Sequence, residues 1–83
     1  GSCSDGKVIG EVWQFAGDFF PSGSTAAVGQ LLSASQYEAL FTVLGTLYGG
    51  DGVSTFGLPD LRGLAPEGVT YLICLSGPFP TPE

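Results

Sequence analysis

Few groups in this chain could do chemistry, and the missing ones narrow the field most. No histidine occurs, so there is no imidazole base for a serine or cysteine nucleophile, no imidazole zinc ligand and no ordinary proton shuttle near neutral pH. The acids are Asp5, Glu11, Asp18, Glu38, Asp51, Asp60, Glu67 and Glu83, set against only Lys7 and Arg62. Two carboxylates at the right separation do general acid and base work in glycosidases, yet the sequence brings no two of these together. The chain reads as no enzyme. Gly49-Gly50-Asp51-Gly52 has the outline of a cation or phosphate loop. A hard cation, however, wants several oxygens at fixed spacing, and no acid follows Asp51 until Asp60. The phosphate-loop motif also requires a closing lysine and hydroxyl, which are absent here. That run is read as a turn, and neither metal nor cofactor is expected.

Arg62 is the sole arginine, set in apolar sequence punctuated by glycine and proline. Its guanidinium could brace loop carbonyls or grip a carboxylate bidentately, or it could stand free for a ligand. The structural role is the expectation, because buried and half-buried charges are paired as a rule, and Arg62→Ala is then expected to cost several degrees of melting temperature. Trp13, Tyr48 and Tyr71 could line a sugar-binding surface, with Trp13 and Tyr48 the ligand-facing candidates, but packing into the core is the expected use of each ring. Cys3 and Cys74, near opposite ends of the chain, suit a disulfide in a small glycine-rich domain. Equally consistent with the sequence is a buried Cys74 acting as a small hydrophobe, with Cys3 loose in a tail.

The elements that must position these groups are short. Residues 7–16, with Val8, Ile9, Val12, Trp13 and Phe15, predict a strand. Turn residues flank Phe19-Phe20, so the chain reverses there and is expected to bury both rings. Gln30-Leu31-Leu32 predicts a short strand. Ser33 with Gln36, and Ser35 with Glu38, have capping-box spacing, and an amphipathic helix is predicted over about 35–44. Its stripe is Tyr37, Leu40, Phe41 and Leu44 at i, i+3, i+4 and i+7, and Gly45 is placed to end it in a left-handed conformation. The stretch 48–63 predicts long, ordered, glycine-rich loops pinned by their apolar residues. Residues 69–75 form a near-continuous apolar run, read as a strand buried on both faces at the centre of the sheet. Prolines 78, 80 and 82 lack the amide donor that a ladder needs. The expectation is therefore α+β: one small domain over 8–77 with a short sheet and one helix, a flexible tail at 1–7 opening on a Gly1-Ser2 pair of the kind a tag leaves, and a proline-rich tail at 78–83.

Composition bounds the partners. With 43% hydrophobic and 12% charged residues the chain is built to fold, and so charge-poor a surface implies cover by another subunit or domain. Two cations cannot supply the counterion release that drives nucleic-acid binding, nor hold the domain on an anionic membrane surface. No apolar run is long enough to span a bilayer.

The residues also form a family pattern. It runs through Ile9-Gly10-Glu11-Val12-Trp13-Gln14-Phe15-Ala16-Gly17, Pro21 and Gly23, Gly29-Gln30-Leu31-Leu32-Ser33, Tyr37-Glu38-Ala39-Leu40-Phe41 and Leu44-Gly45-Thr46. It ends with Tyr48-Gly49-Gly50-Asp51-Gly52 and Thr55-Phe56-Gly57-Leu58-Pro59-Asp60-Leu61-Arg62-Gly63. This closely resembles the phage tail collar domain, also seen in bacterial proteins called microcystin-dependent, with Tyr71 to Pro80 similar to the family's closing strand. The resemblance implies a non-catalytic structural and recognition module of a tail fibre or tail tip, phage or prophage encoded, sited in the virion tail or outside the cell. Such a module assembles with identical copies, often as a trimer, or with other tail proteins, and supports host attachment. The chain departs from the family at Ser24 and Ala27, where a tryptophan and a cysteine are common. It also lacks the long variable segment that many members carry between the Arg-Gly motif and the closing strand, since only five residues separate Gly63 from Val69. In short tail fibres that segment bears receptor contacts and metal-binding histidines, so neither carries over. The alternative from the residues themselves is a stand-alone module binding a surface glycan through Trp13, Tyr48 or the Asp51 loop.

Overall fold

A computed structural model describes residues 3, 7–17 and 19–79. In chain order the elements are β1 (Val12–Phe15), β2 (Ser24–Ala26), β3 (Leu31–Ser33), helix α1 (Glu38–Leu44), β4 (Thr55–Gly57), a 3-10 turn (Arg62–Leu64) and β5 (Thr70–Cys74). They make an α+β domain with two small antiparallel sheets, one ordered β1-β5-β2 and the other pairing β3 with β4.

β5 is the central strand, as its unbroken apolar run predicts, and it needs cover on both faces. Ile73 points into the main core with Leu40 and Leu44 of α1, Phe56 of β4 and Leu58 beyond it. Leu72 and Cys74 alternate to the opposite face and are fully buried as well. Cys3 lies on that face: it is 1% exposed and disulfide-bonded to Cys74, with a Cα separation of 5.4 Å. The expected boundary at residue 8 is therefore too late for Cys3, whose N–H also donates to the Ser76 carbonyl at 3.3 Å. At the other end Pro78 belongs to the domain too, accepting from the Ile9 N–H at 2.9 Å. The remaining tail positions, 1, 2, 4–6 and 80–83, lie outside the described residues.

Local propensity set the strand ends less well. Residues 7–16 are not one strand, because Glu11 N–H turns back to the Val8 carbonyl at 3.1 Å. Gly10 N–H and Glu11 C=O then both bond Cys74, at 2.8 and 2.9 Å, a bulge that starts β1 late. The helix also begins later than its serines suggest. Ser33 Oγ accepts from Gln36 N–H at 3.4 Å and lies 3.1 Å from Ser35 Oγ, so the hydroxyls shape a preceding turn, and α1 starts after Tyr37 with no side-chain cap. Its apolar stripe behaves as the periodicity demands: Leu40 and Leu44 are buried and the Phe41 ring lies 5.3 Å from Phe56. Gly45 ends the helix at positive φ (+57°), donating to the Phe41 carbonyl at 2.7 Å. Phe19 and Phe20, expected to be buried, are not: Phe19 is 90% exposed, and Phe20 meets Phe15 edge-on at 6.1 Å.

Candidate functional site

The glycine-rich stretch contains a strand, β4, and its loop exists to finish that strand's outer edge. In an antiparallel pair alternate residues turn their N–H and C=O toward the partner and the others turn away. Leu58 N–H bonds Gln30 C=O and Ala34 N–H bonds Ser54 C=O, each at 3.0 Å, so by alternation Thr55 and Gly57 face outward. Thr55 N–H donates to Asp51 Oδ1 at 2.9 Å, Thr55 C=O accepts from Gly52 N–H at 3.0 Å, and Gly57 N–H donates to Gly49 C=O at 2.9 Å. The loop 49–52 thus acts as a substitute strand.

Asp51 is the hub of this cap. Its Oδ1 also accepts from Val53 N–H and Ser54 N–H, both at 2.8 Å, and Oδ2 accepts from Ser54 Oγ at 2.9 Å. The backbone N–H of Thr55 first, then those of Val53 and Ser54, hold its carboxyl far below the ordinary carboxylate range. Two glycines make the approach possible. A Cβ on Gly50, which sits at φ +91°, would lie 2.4 Å from Phe56 Cα, and one on Gly57 would lie 2.5 Å from the Tyr48 carbonyl oxygen. Phe56 and Leu58, each fully buried, plug the stretch into the core, and Pro59 is buried beside them.

The second half of the motif docks onto residues 27–30. Gly29 N–H bonds Pro59 C=O at 3.3 Å, Leu61 N–H bonds Ala27 C=O at 3.0 Å, and Val28 bridges Asp60. Gln30 holds that receiving segment: its Oε1 accepts from Val28 N–H at 3.1 Å and its Nε2 donates to Ala26 C=O at 2.8 Å. This role was not readable from the sequence, since nothing in a Gly-Gln-Leu-Leu run says that the amide folds back on its own backbone.

Arg62 is where expectation and structure part. It does grip a carboxylate bidentately, Nε to Asp60 Oδ1 at 2.9 Å and Nη2 to Oδ2 at 2.7 Å. The pair is exposed, however, with the Arg62 side chain 68% accessible, so it braces no interior carbonyl. Both partners come from one tight turn, so the pair never had to be buried. The Arg62 hydrogen bonds lower the Asp60 pKa to about 2, and Asp60 in turn raises that of Arg62. Gly63 sits exposed in the 3-10 turn that follows.

The aromatic candidates are not brought together. Trp13 is half-buried on β1 with Lys7 Nζ 5.0 Å from its ring centroid, and Tyr48 is 50% exposed beside the second sheet. Neither joins the core, contrary to the packing reading; only Tyr71 packs against it, its hydroxyl accepting from Gln14 Nε2 at 2.9 Å. Two open depressions stand out among the described residues. One, of about 340 Å³, is lined by Phe20, Ala26, Val28, Arg62, Val69 and Tyr71 among others. The other, of about 450 Å³, is lined by Tyr37, Leu40, Leu75 and a single acid, Glu38. Neither gathers a pair of carboxylates, and no cluster of three or more His, Cys, Asp or Glu side chains suited to a metal occurs among the described residues.

What the site presents is a shaped backbone surface on which Asp51, Asp60 and Arg62 are engaged by partners within the chain. Among curated proteins none matches the chain. A family model described as the phage tail collar domain matches residues 10–66, which takes in β1 through β4, the glycine loop and the Asp60-Leu61-Arg62-Gly63 turn. The chain belongs to the phage tail collar domain family, and with it to the structural modules of phage tail fibres.

Proposed function

We propose that this domain is a non-catalytic assembly module of a tail fibre in a phage or prophage-encoded virion tail, joined to copies of itself or to neighbouring tail proteins and supporting host attachment. One observation carries the reading: the charged groups of the glycine-rich stretch are engaged within the chain while large apolar side chains face outward. Asp51 is saturated by its own loop, Asp60 by Arg62, and Lys7 lies 3.8 Å from Glu11. Phe19, Leu47, Val53 and Leu64 are each at least 71% exposed. A surface of that kind favours cover by protein over chemistry on a small molecule. The test is immunogold electron microscopy with antibodies to this domain on purified particles from its source: label confined to the tail supports the proposal, and unlabelled tails overturn it.

A second reading, contact with a surface glycan, draws on the half-exposed Tyr48 ring. A glycan array with the purified chain decides it, and silence across surface polysaccharides removes it.

A further inference from the structure

Burial in this domain is divided between the two faces of β5. The main core takes Ile73 with Ile9, Leu40, Phe56 and Leu58, and neither Cys3 nor Cys74 belongs to it. Leu72 and Cys74 lie on the other face, shared with Trp13 and Ala26, which oppose Leu72 across the sheet. Cys3 is the one residue described before Lys7, and two attachments hold it on that face: the bond to Cys74, and its N–H donated to the Ser76 carbonyl at 3.3 Å. The ladder around Cys74 is independent of its sulfur, since Cys74 N–H donates to Glu11 C=O at 2.9 Å and Cys74 C=O accepts from Gly10 N–H at 2.8 Å. The Ser76 carbonyl also lies 3.1 Å from Cys74 Sγ, within reach of the S–H that only a reduced cysteine carries. Release of Cys3 thus takes one donor from that carbonyl and supplies another.

We infer that the bond between Cys3 and Cys74 is a redox latch: with both thiols reduced, the main core and both sheets persist while Cys3 leaves the second face of β5, and oxidation fixes it there. Opening is a thiol–disulfide exchange. One thiolate of a small dithiol bonds to Cys3 Sγ, the S–S bond breaks, and the electron pair leaves on Cys74 Sγ, which takes up a proton. The second sulfur of the dithiol then displaces Cys3 as a thiolate, so the dithiol ends oxidised and both cysteines reduced. A small-molecule disulfide closes the latch. The Cys3 thiolate takes one half of it and releases the other half as a thiolate, and the Cys74 thiolate then attacks Cys3 Sγ and expels the second half. In the closed state Cys3 and Cys74 are 1% and 0% exposed, so a reductant reaches the bond only after local opening, whereas closing starts from Cys3 already off the sheet. A chain made in a reducing cytoplasm is therefore unlatched there and becomes fixed on reaching an oxidising medium. This holds wherever the domain is sited, so failure of the tail reading leaves it standing.

The test compares amide NMR spectra, at low temperature, of the intact oxidised chain, the same chain reduced with dithiothreitol in urea and refolded in reductant, and Cys3→Ser in reductant. The last two are expected to give the same dispersed spectrum, with the amides of Leu40, Phe56 and Leu58 in place and shifts confined to the surroundings of Glu11, Trp13, Leu72, Cys74 and Ser76. Iodoacetamide should label Cys3 of the refolded chain before Cys74. Dithiothreitol should reduce the oxidised chain at least about a hundredfold more slowly in buffer than in urea, because exchange then waits for opening. Loss of dispersion throughout both the reduced chain and Cys3→Ser would make the bond a requirement of the fold and overturns the inference. So does a reduced chain whose signals around Cys74 stay where they were, or reduction that is as fast without urea as with it.

Discussion

The two sheets hold themselves together by opposite means. The β1-β5-β2 sheet is stapled covalently through its middle strand, and among the described residues nothing bonds the outward backbone groups of Val12 and Gln14 on β1. The β3-β4 sheet has no covalent tie, and it is held by a loop that folds back on β4 and caps it with Asp51, Gly49 and Gly52. The difference follows from length and position. β5 lies at the far end of the chain from Cys3, 71 residues away, and cross-linking so long a loop takes away much of the freedom of the unfolded chain. β4 lies only a few residues from its cap, where local hydrogen bonds and positive-φ glycines suffice.

Removing the staple should separate the sheets most sharply. Cys3→Ser with Cys74→Ser is expected to cost about 4 kcal/mol for a closed loop of this length, a large share of what so small a domain possesses. Calorimetry with and without reductant measures it, and an unchanged melting temperature would show that burial of Cys3, rather than the bond, holds it against β5.

Breaking the other sheet comes next. Gly50→Ala meets Phe56 Cα and the Thr55 carbonyl oxygen at a positive φ, so about 3 kcal/mol is expected. Amide exchange should speed up at Thr55 and Gly57 before β5, which sharpens the contrast between the sheets, whereas uniform acceleration would erase it.

A smaller effect is expected from Asp51→Asn, which keeps the acceptor and loses the charge. Because the folded carboxyl titrates below its ordinary value of 3.8, its contribution is fully present above that pH and is lost as the pH falls through the lower folded value. Asp60 behaves alike between 3.8 and about 2. Acid titration of melting temperature should therefore show native stability declining below about pH 4, with a shallower decline in the Asn variant.

Arg62→Ala should change least. Its exposed pairing with Asp60 is screened by solvent, so the drop of several degrees expected from sequence is replaced by a shift close to the error of the melt. A large shift would mean that the pair does more for the docked turn than its exposure allows.

Much of the architecture was nevertheless readable in advance, wherever a local or periodic rule governs. The stripe of Tyr37, Leu40, Phe41 and Leu44 determined the helix and its buried face, and the apolar run of β5 determined a central strand, because burial on one face or two leaves a direct mark on residue order. The motif from Tyr48 to Gly63 marked the family, and its glycines marked a constrained backbone. Only the tertiary structure decided that β2 and β4 are strands, that Gln30 clasps its neighbours, that Cys3 reaches Cys74, and that Arg62 and Phe19 face water. Each of these depends on what lies opposite in space after distant segments meet. Three-residue strands carry too little periodicity to announce themselves, and the exposure of a side chain is a property of its neighbours rather than of its type.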